Sequence, residues 1–154
     1  MIHGHFGELR RPYVSGSLLL PMAPREGRIN FLLDTGADQT CLMPADAKAM
    51  RLKFEDLLLG KETRARGIGG RVKVHPQTGT ITFLELSVGL VIYEVSVLVY
   101  PDRSPYRDYP SILGRDVLND WRIRYSSIEE TLTADALRPH VLIPLPISED
   151  RPGK

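Results

Sequence analysis

The chain has 154 residues, a length typical of one domain, with 42% apolar and 25% charged side chains. Its net charge of +1 gives no reason to expect a nucleic-acid-binding or membrane-binding surface. The single cysteine, Cys41, excludes an internal disulfide framework and suits a reducing compartment.

Residues 1–12 lack the basic-then-apolar pattern of a signal peptide, and we expect them to form a flexible lead-in. No apolar run approaches the ~20 residues that a membrane helix needs. The sequence therefore predicts a cytoplasmic protein without a membrane segment. Twelve prolines and thirteen glycines break the chain into short pieces, which is typical of a mostly-β domain.

The first predicted strand covers residues 13–20, and a loop with two prolines follows at 21–27. Residues 28–33 form the next strand, in which Ile29, Phe31 and Leu33 share one face. This apolar strand ends abruptly on a carboxylate.

That ending reads Asp34-Thr35-Gly36-Ala37-Asp38. The two leucines before Asp34 place apolar surroundings beside it, and burial disfavours a charged carboxylate that lacks partners. Gly36 permits a close backbone approach, and the Thr35 hydroxyl can bond locally or across an interface. Taken alone, the triplet favours an ordinary turn after a strand, because turns are rich in these residues.

Residues 44–50 have the proline and alanines of a short helix, and residues 57–59 are predicted to lie in the core. Residues 61–66 and 71–75 are charged flanks of a hairpin whose tip runs from Gly67 to Gly70. Strands follow at 80–86 and 90–100, and the second alternates apolar and polar positions cleanly.

Three prolines mark residues 101–110 as a loop, and Ile112 and Leu113 form a short buried strand. After Gly114, a short helix is predicted over residues 115–121, with its apolar side chains at helical spacing. The remaining strand-like segments are residues 122–125, 131–133 and 141–145.

The glycine-rich tip has alternative interpretations. A phosphate-binding loop would continue with Gly-Lys-Ser/Thr, which is absent here. A dinucleotide-binding turn would lead into a helix, whereas the residues after Gly70 are strand-like. An ordinary hairpin turn remains open.

Three segments taken in order resemble the retropepsin family, the single-domain aspartic proteases typified by retroviral proteases. They are residues 31–38, 66–74 and 111–118, and the resemblance covers roughly residues 10–125. It implies a mostly-β acid-protease barrel over residues 13–125, with a flap hairpin and one or two short helices. Residues 126–154 then form a C-terminal extension that could contribute to a dimer interface.

The resemblance also implies a homodimeric endopeptidase that acts on peptide or protein substrates and uses no cofactor or metal. Two aspartates must face one water, and this chain supplies one, Asp34, so the second comes from another copy. Thr35 would bond across the two-fold axis. Arg115 would pair with Asp38 and fix the loop. The remaining residues that the resemblance assigns are Gly36 and Ala37, which shape the site; Gly67, Ile68, Gly69 and Gly70, which form the flap; and Ile112, Leu113 and Gly114, which support the site from behind.

Two other interpretations stay open: a dimeric peptide-binding or scaffold module with little turnover, and one domain of a longer polyprotein or membrane protein. Cys41 is predicted to be a small buried residue, because no cysteine-protease signature surrounds it. No metal site is predicted, since the four histidines show no strong ligand spacing. The arginines are scattered along the chain, which argues against a nucleic-acid stripe.

Overall fold

The structure is a computed structural model that describes residues 1–67, 70–103 and 105–146. Strands dominate these residues, as predicted, and three short helices interrupt them, one more than expected. The helices are α1 (Pro44–Ala49), α2 (Phe54–Leu57) and α3 (Arg115–Leu118). The strands are β1 (Ile2–Phe6), β2 (Pro12–Leu19), β3 (Gly27–Leu33), β4 (Cys41–Leu42), β5 (Thr63–Gly67), β6 (Gly70–Glu85), β7 (Gly89–Val99), β8 (Ile112–Leu113), β9 (Trp121–Ser126), β10 (Thr131–Ala136) and β11 (Val141–Pro144).

Six of these strands form a closed ring of backbone pairings. Going round the ring, β6 pairs with β7, β7 with β4, β4 with β8, β8 with β3, β3 with β2, and β2 returns to β6. The β3–β8 and β4–β7 pairings are parallel, and the other four are antiparallel. The ring agrees with the predicted mostly-β, barrel-like fold.

The alternation read from the sequence explains how β7 packs. Val91, Tyr93, Val95 and Val97 are buried, whereas the residues between them are wholly or partly exposed. Side chains alternate across a strand, so β7 presents one apolar face to the core. Tyr93 accepts a hydrogen bond of 2.9 Å from the indole nitrogen of Trp121, which satisfies both polar atoms in the interior.

The interior divides into two clusters. The larger includes Phe31, Phe83 and Tyr93 from strands of the ring. The smaller lies beneath the β5–β6 hairpin, where Val72 and Val74 pack with buried residues of β4 and β7. The hairpin is thereby anchored to the body through one apolar face.

The predicted flexible lead-in contains a strand. β1 pairs with β2 and with β10, and Ile2 is buried in the larger cluster. The sequence carries no local signal for this strand, because β10 lies more than a hundred residues further along the chain. β10 and β11, both in the predicted C-terminal extension, join the same sheet by pairing with β9 and β7.

Three local predictions need correction. Leu57 is buried as predicted, but Leu58 and Leu59 are 71% and 89% exposed because α2 ends at Leu57. β6 is a single strand of 16 residues that continues through Pro76, where the sequence predicts a break. α3 ends at Leu118, so Trp121 begins β9.

No helix within the described ranges is long and apolar enough to cross a membrane.

Candidate active site

Asp34 lies where β3 ends in a tight turn. Leu32 and Leu33 pair in parallel with Ile112 and Leu113 of β8. Just past this pairing, the Asp34 amide donates to the Leu113 carbonyl at 3.2 Å. The Ala37 amide then closes the turn by donating to the Asp34 carbonyl at 3.1 Å. Residues 112 and 113 thus lie directly beside the residues that lead into the turn.

The Asp34 carboxylate is held by the turn itself. The Gly36 amide donates to Asp34 Oδ1 at 2.8 Å. A Cβ added at Gly36 would lie 3.1 Å from the same oxygen, which is tighter than most real contacts. Asp34 and the two leucines before it are only partly buried, although the sequence predicts apolar surroundings for Asp34. Thr35 and Gly36 are exposed. The turn is therefore presented at the surface of the single chain.

The N-terminus of α3 binds this turn through backbone hydrogen bonds. The Arg115 amide donates to the Ala37 carbonyl at 2.9 Å, and the Asp116 amide donates to the Asp38 carbonyl at 3.2 Å. Gly114 makes the approach possible, because a Cβ there would lie 2.5 Å from the carbonyl carbon of Gln39. Any side chain at this position would push α3 away from the turn.

The predicted ion pair between Arg115 and Asp38 is present. Arg115 Nη2 contacts Asp38 Oδ1 directly, with side chains that are 49% and 79% exposed. Exposed pairs typically contribute about 0–1 kcal/mol. The backbone bonds beside it are therefore the more important tie between α3 and the turn.

Sequence reasoning missed Thr40 and Asp116. The buried Thr40 donates its amide to Asp116 Oδ2 at 2.9 Å and its hydroxyl to Asp116 Oδ1 at 2.8 Å. The Thr40 oxygen also accepts the Gly114 amide at 3.2 Å. A small hydroxyl residue before a short apolar strand, and an acid in the first turn of a helix, were the available signals.

Ser111 forms a similar connection to α1. Its buried hydroxyl donates to Asp46 Oδ2 at 2.6 Å and accepts the Met43 amide at 3.0 Å. This links the start of β8 to the start of α1, and so fixes the strand that lies behind Asp34.

Cys41 comes directly after Thr40 in the chain and is buried, as predicted. Burial, and then the negative charge of Asp116, raise the pKa of the thiol to about 12. The thiol contacts the Gln39 carbonyl at 3.4 Å. Cys41 is therefore protonated at neutral pH, which removes the thiolate that a nucleophile requires.

The β5–β6 hairpin lies on the same side of the ring as the Asp34 turn, since the base of the hairpin packs on β4. Gly67 pairs with Gly70, whose φ of +106° lies in the region that favours glycine. Ile68 and Gly69, the predicted centre of the flap, lie outside the described residues. In the part of the chain that the structure covers, no group of three or more His, Cys, Asp or Glu residues could hold a metal ion.

A family model and several solved structures are similar to this chain. A family model described as "gag-polyprotein putative aspartyl protease" matches residues 25–120, which is more than half of the chain. No curated protein matches. Among solved structures, the EIAV protease in complex with the inhibitor HBY-793 is 24% identical, with a TM-score of 0.45, over 75% of this chain and 91% of that one. A retropepsin-like aspartic protease from Rickettsia conorii is 20% identical, with a TM-score of 0.47, over 86% of each chain. The family match spans the Asp34 turn, the hairpin and α3 together, and the chain therefore belongs to the gag-polyprotein aspartyl protease family.

Proposed function

We propose that this chain is a homodimeric aspartic endopeptidase in which two copies each contribute Asp34. The observation that carries the proposal is the placement of Asp34 on a braced, surface-exposed turn in a chain of the aspartyl protease family. The sequence has one Asp-Thr-Gly triplet, whereas the chemistry needs two facing carboxylates. A two-fold contact brings identical turns together, so a second copy supplies the missing group.

The proposed reaction uses a water molecule held between the two Asp34 carboxylates. Two such carboxylates in close contact cannot both ionise, so they share one proton. The ionised one removes a proton from water, which attacks the peptide carbonyl, while the protonated one donates to the carbonyl oxygen. The tetrahedral diol collapses when the leaving amine receives a proton. No covalent enzyme intermediate forms.

The residues around Asp34 have positioning roles in this proposal. The Gly36 amide orients one carboxylate oxygen, and the exposed Thr35 hydroxyl is available to a second copy across the axis. Ala37 brings no hydroxyl that would stabilise the charged form of the carboxylate. We therefore expect the rate to be greatest at mildly acidic rather than strongly acidic pH.

The hairpin has the role of a flap in the same proposal. Its base is anchored on the body by Ala65, Val72 and Val74, and in this proposal residues 67–70 form the tip that moves over the substrate. A tip that closes over a bound peptide would exclude water, and its backbone groups would hold an extended substrate.

The experiment compares the wild-type protein with Asp34→Asn on a library of unfolded peptides, using mass spectrometry across mildly acidic pH. We expect specific cleavage by the wild type and a loss of about 10³-fold or more in the variant, because an amide cannot act as the general base. Asp108→Asn, which neutralises an exposed carboxylate on the loop before β8, is the matched control and should cleave like the wild type.

The oligomeric mass is measured on the same samples. Equal cleavage by the wild type and Asp34→Asn, or cleavage by a strictly monomeric sample, would refute the proposal. A dimer that binds peptides but cleaves none would support the scaffold alternative instead.

A further inference from the structure

The β5–β6 hairpin has one apolar and one cationic face. Its register places Arg64 opposite Lys73 and Arg66 opposite Arg71. Residues directly opposite each other in an antiparallel pair lie on the same face. The four side chains therefore share one face, which we call the arginine face, while Ala65 and Val72 occupy the other and pack on the body.

The arginine face is costly for the isolated hairpin. All four of its side chains are exposed, and two like-charged pairs directly opposite each other destabilise a sheet. Lys73 has a partner, because its Nζ lies 3.1 Å from Glu62 Oε1. Among the described residues, none of the three arginines has a salt-bridge partner. The chain as a whole has a net charge of only +1, so this positive surface is local.

The same hairpin has a free edge. β5 is the terminal strand of the sheet and, within the described ranges, pairs with β6 alone. An extended peptide can add to such an edge through backbone hydrogen bonds. Every second side chain of an added strand would then lie on the arginine face, next to Arg64 and Arg66.

The chemistry of this face favours carboxylates. An arginine fork bonds a carboxylate through two parallel hydrogen bonds, and Glu62 already occupies the end of the face near Lys73. A single-stranded nucleic acid would need aromatic platforms, and the arginine face consists of cationic side chains alone.

We propose that the arginine face binds acidic residues at alternate positions of an extended polypeptide substrate, in a part of that polypeptide outside the segment that is cleaved. The inference rests on the proposed function, because the hairpin is the element that would close over the substrate. It adds a substrate class: polypeptides with Glu or Asp at positions i and i+2 outside the cleaved segment.

Binding is tested separately from cleavage by using the Asp34→Asn form. Its affinity is measured for an extended peptide with three glutamates at alternate positions and for the same peptide with three glutamines. We expect the glutamate peptide to bind about tenfold more tightly at low salt, because each exposed charge pair adds a modest amount. The preference should shrink at high salt, where exposed charges are screened. A peptide with its three glutamates in adjacent positions should bind more weakly than the alternating one.

Two triple variants in the Asp34→Asn background identify the surface. Replacing the arginines of the face with glutamine should abolish the preference for glutamate; the changes are Arg64→Gln, Arg66→Gln and Arg71→Gln. The matched control removes the same charge from exposed arginines elsewhere and should retain the preference; its changes are Arg25→Gln, Arg28→Gln and Arg122→Gln.

Equal affinity for the glutamate and glutamine peptides would overturn the inference, and so would equal loss in both triple variants. Tighter binding of oligothymidylate than of the glutamate peptide, lost with the arginine face, would overturn it in favour of a nucleic-acid ligand. The proposed function is tested separately, by cleavage of a neutral peptide by the wild type, because that cleavage does not depend on a preference for glutamate.

Discussion

The Asp116 carboxylate holds the chain just after the Asp34 turn. It accepts two hydrogen bonds from the fully buried Thr40, whereas the Arg115–Asp38 pair is largely exposed. Removing an acceptor from buried donors costs more than removing an exposed ion pair, because the stranded groups keep their desolvation penalty.

Asp116→Ala should therefore lower the free energy of unfolding by about 2 kcal/mol or more, whereas Arg115→Ala should lower it by less than about 1 kcal/mol. Asp116→Asn keeps one acceptor oxygen, so its loss in free energy of unfolding should lie between those of Asp116→Ala and Arg115→Ala. Chemical denaturation of the three variants checks the order. A smaller loss for Asp116→Ala than for Arg115→Ala would show that Thr40 finds other partners.

The individual site residues were predictable only in part. Asp34, Asp38 and Arg115 could be proposed for the site from the sequence, because they lie in recognisable motifs. The Thr40–Asp116 bonds were missed because they join residues 76 positions apart, and a sequence contains no distances. The partial exposure of Asp34 was missed for a related reason: an apolar stretch does not reveal how far its strand extends past the core.

At the scale of elements, the loop over residues 101–110 is tied to α1 by Asp102. One carboxylate oxygen contacts Lys48 Nζ at 2.8 Å, and the other accepts Arg107 Nε at 2.7 Å. Hydrogen bonds from Lys48 and then Arg107 hold the pKa of Asp102 below its ordinary value of 3.8. A lowered pKa means that the ionised carboxylate is favoured by the fold.

The lowered pKa of Asp102 makes the stability of the protein depend on pH. The Asp102 tie contributes fully above pH 3.8 and is lost as the pH falls through the lower folded-state pKa. Asp102→Asn should therefore melt below the wild type at pH 6, and the difference should shrink as the pH falls below 3.8. Melting curves of both proteins between pH 6 and pH 3 check this. A difference that grows towards acid would contradict the assignment.

Elements with strong local patterns were predicted well, namely the alternating β7 and the proline-led α1. β1 and the long β6 were not, because their pairing partners are distant or because a proline implied a break. Pairing across the sheet overrode the local signal in both cases.

At the scale of the whole molecule, the last described strand covers the edge of β7. β11 pairs with Gly89 to Ile92, and its four residues are exposed. Val99, at the far end of β7, pairs with β4 beside the Asp34 turn. β11 thus extends the sheet within a single chain, at the end of β7 that lies away from Asp34. Its role in a dimer interface remains a proposal from the sequence.

Truncation after Arg138 should lower the melting temperature, because it leaves the backbone groups of β7 unpaired at a new edge. It should also increase aggregation, since such an edge invites pairing with other chains. The mass in solution tests the interface: a monomer would support a role for β11 in dimerisation, and a dimer would limit β11 to the fold. An unchanged melting temperature would contradict the stabilising role.

The closed ring of strands has a kinetic consequence. Joining β2 to β6 brings Ser17 next to Thr82. The long chain segment between them must close into a loop, at a cost in entropy, before the stabilising contacts form, and this slows folding.

The two-residue strands β4 and β8 complete the ring beside Asp34, and a single residue pair joins them. This seam has the fewest backbone bonds, so its amides should be the first of the ring to exchange with solvent. If a second copy packs against this end, association would protect the seam, and folding would become thermodynamically linked to protein concentration.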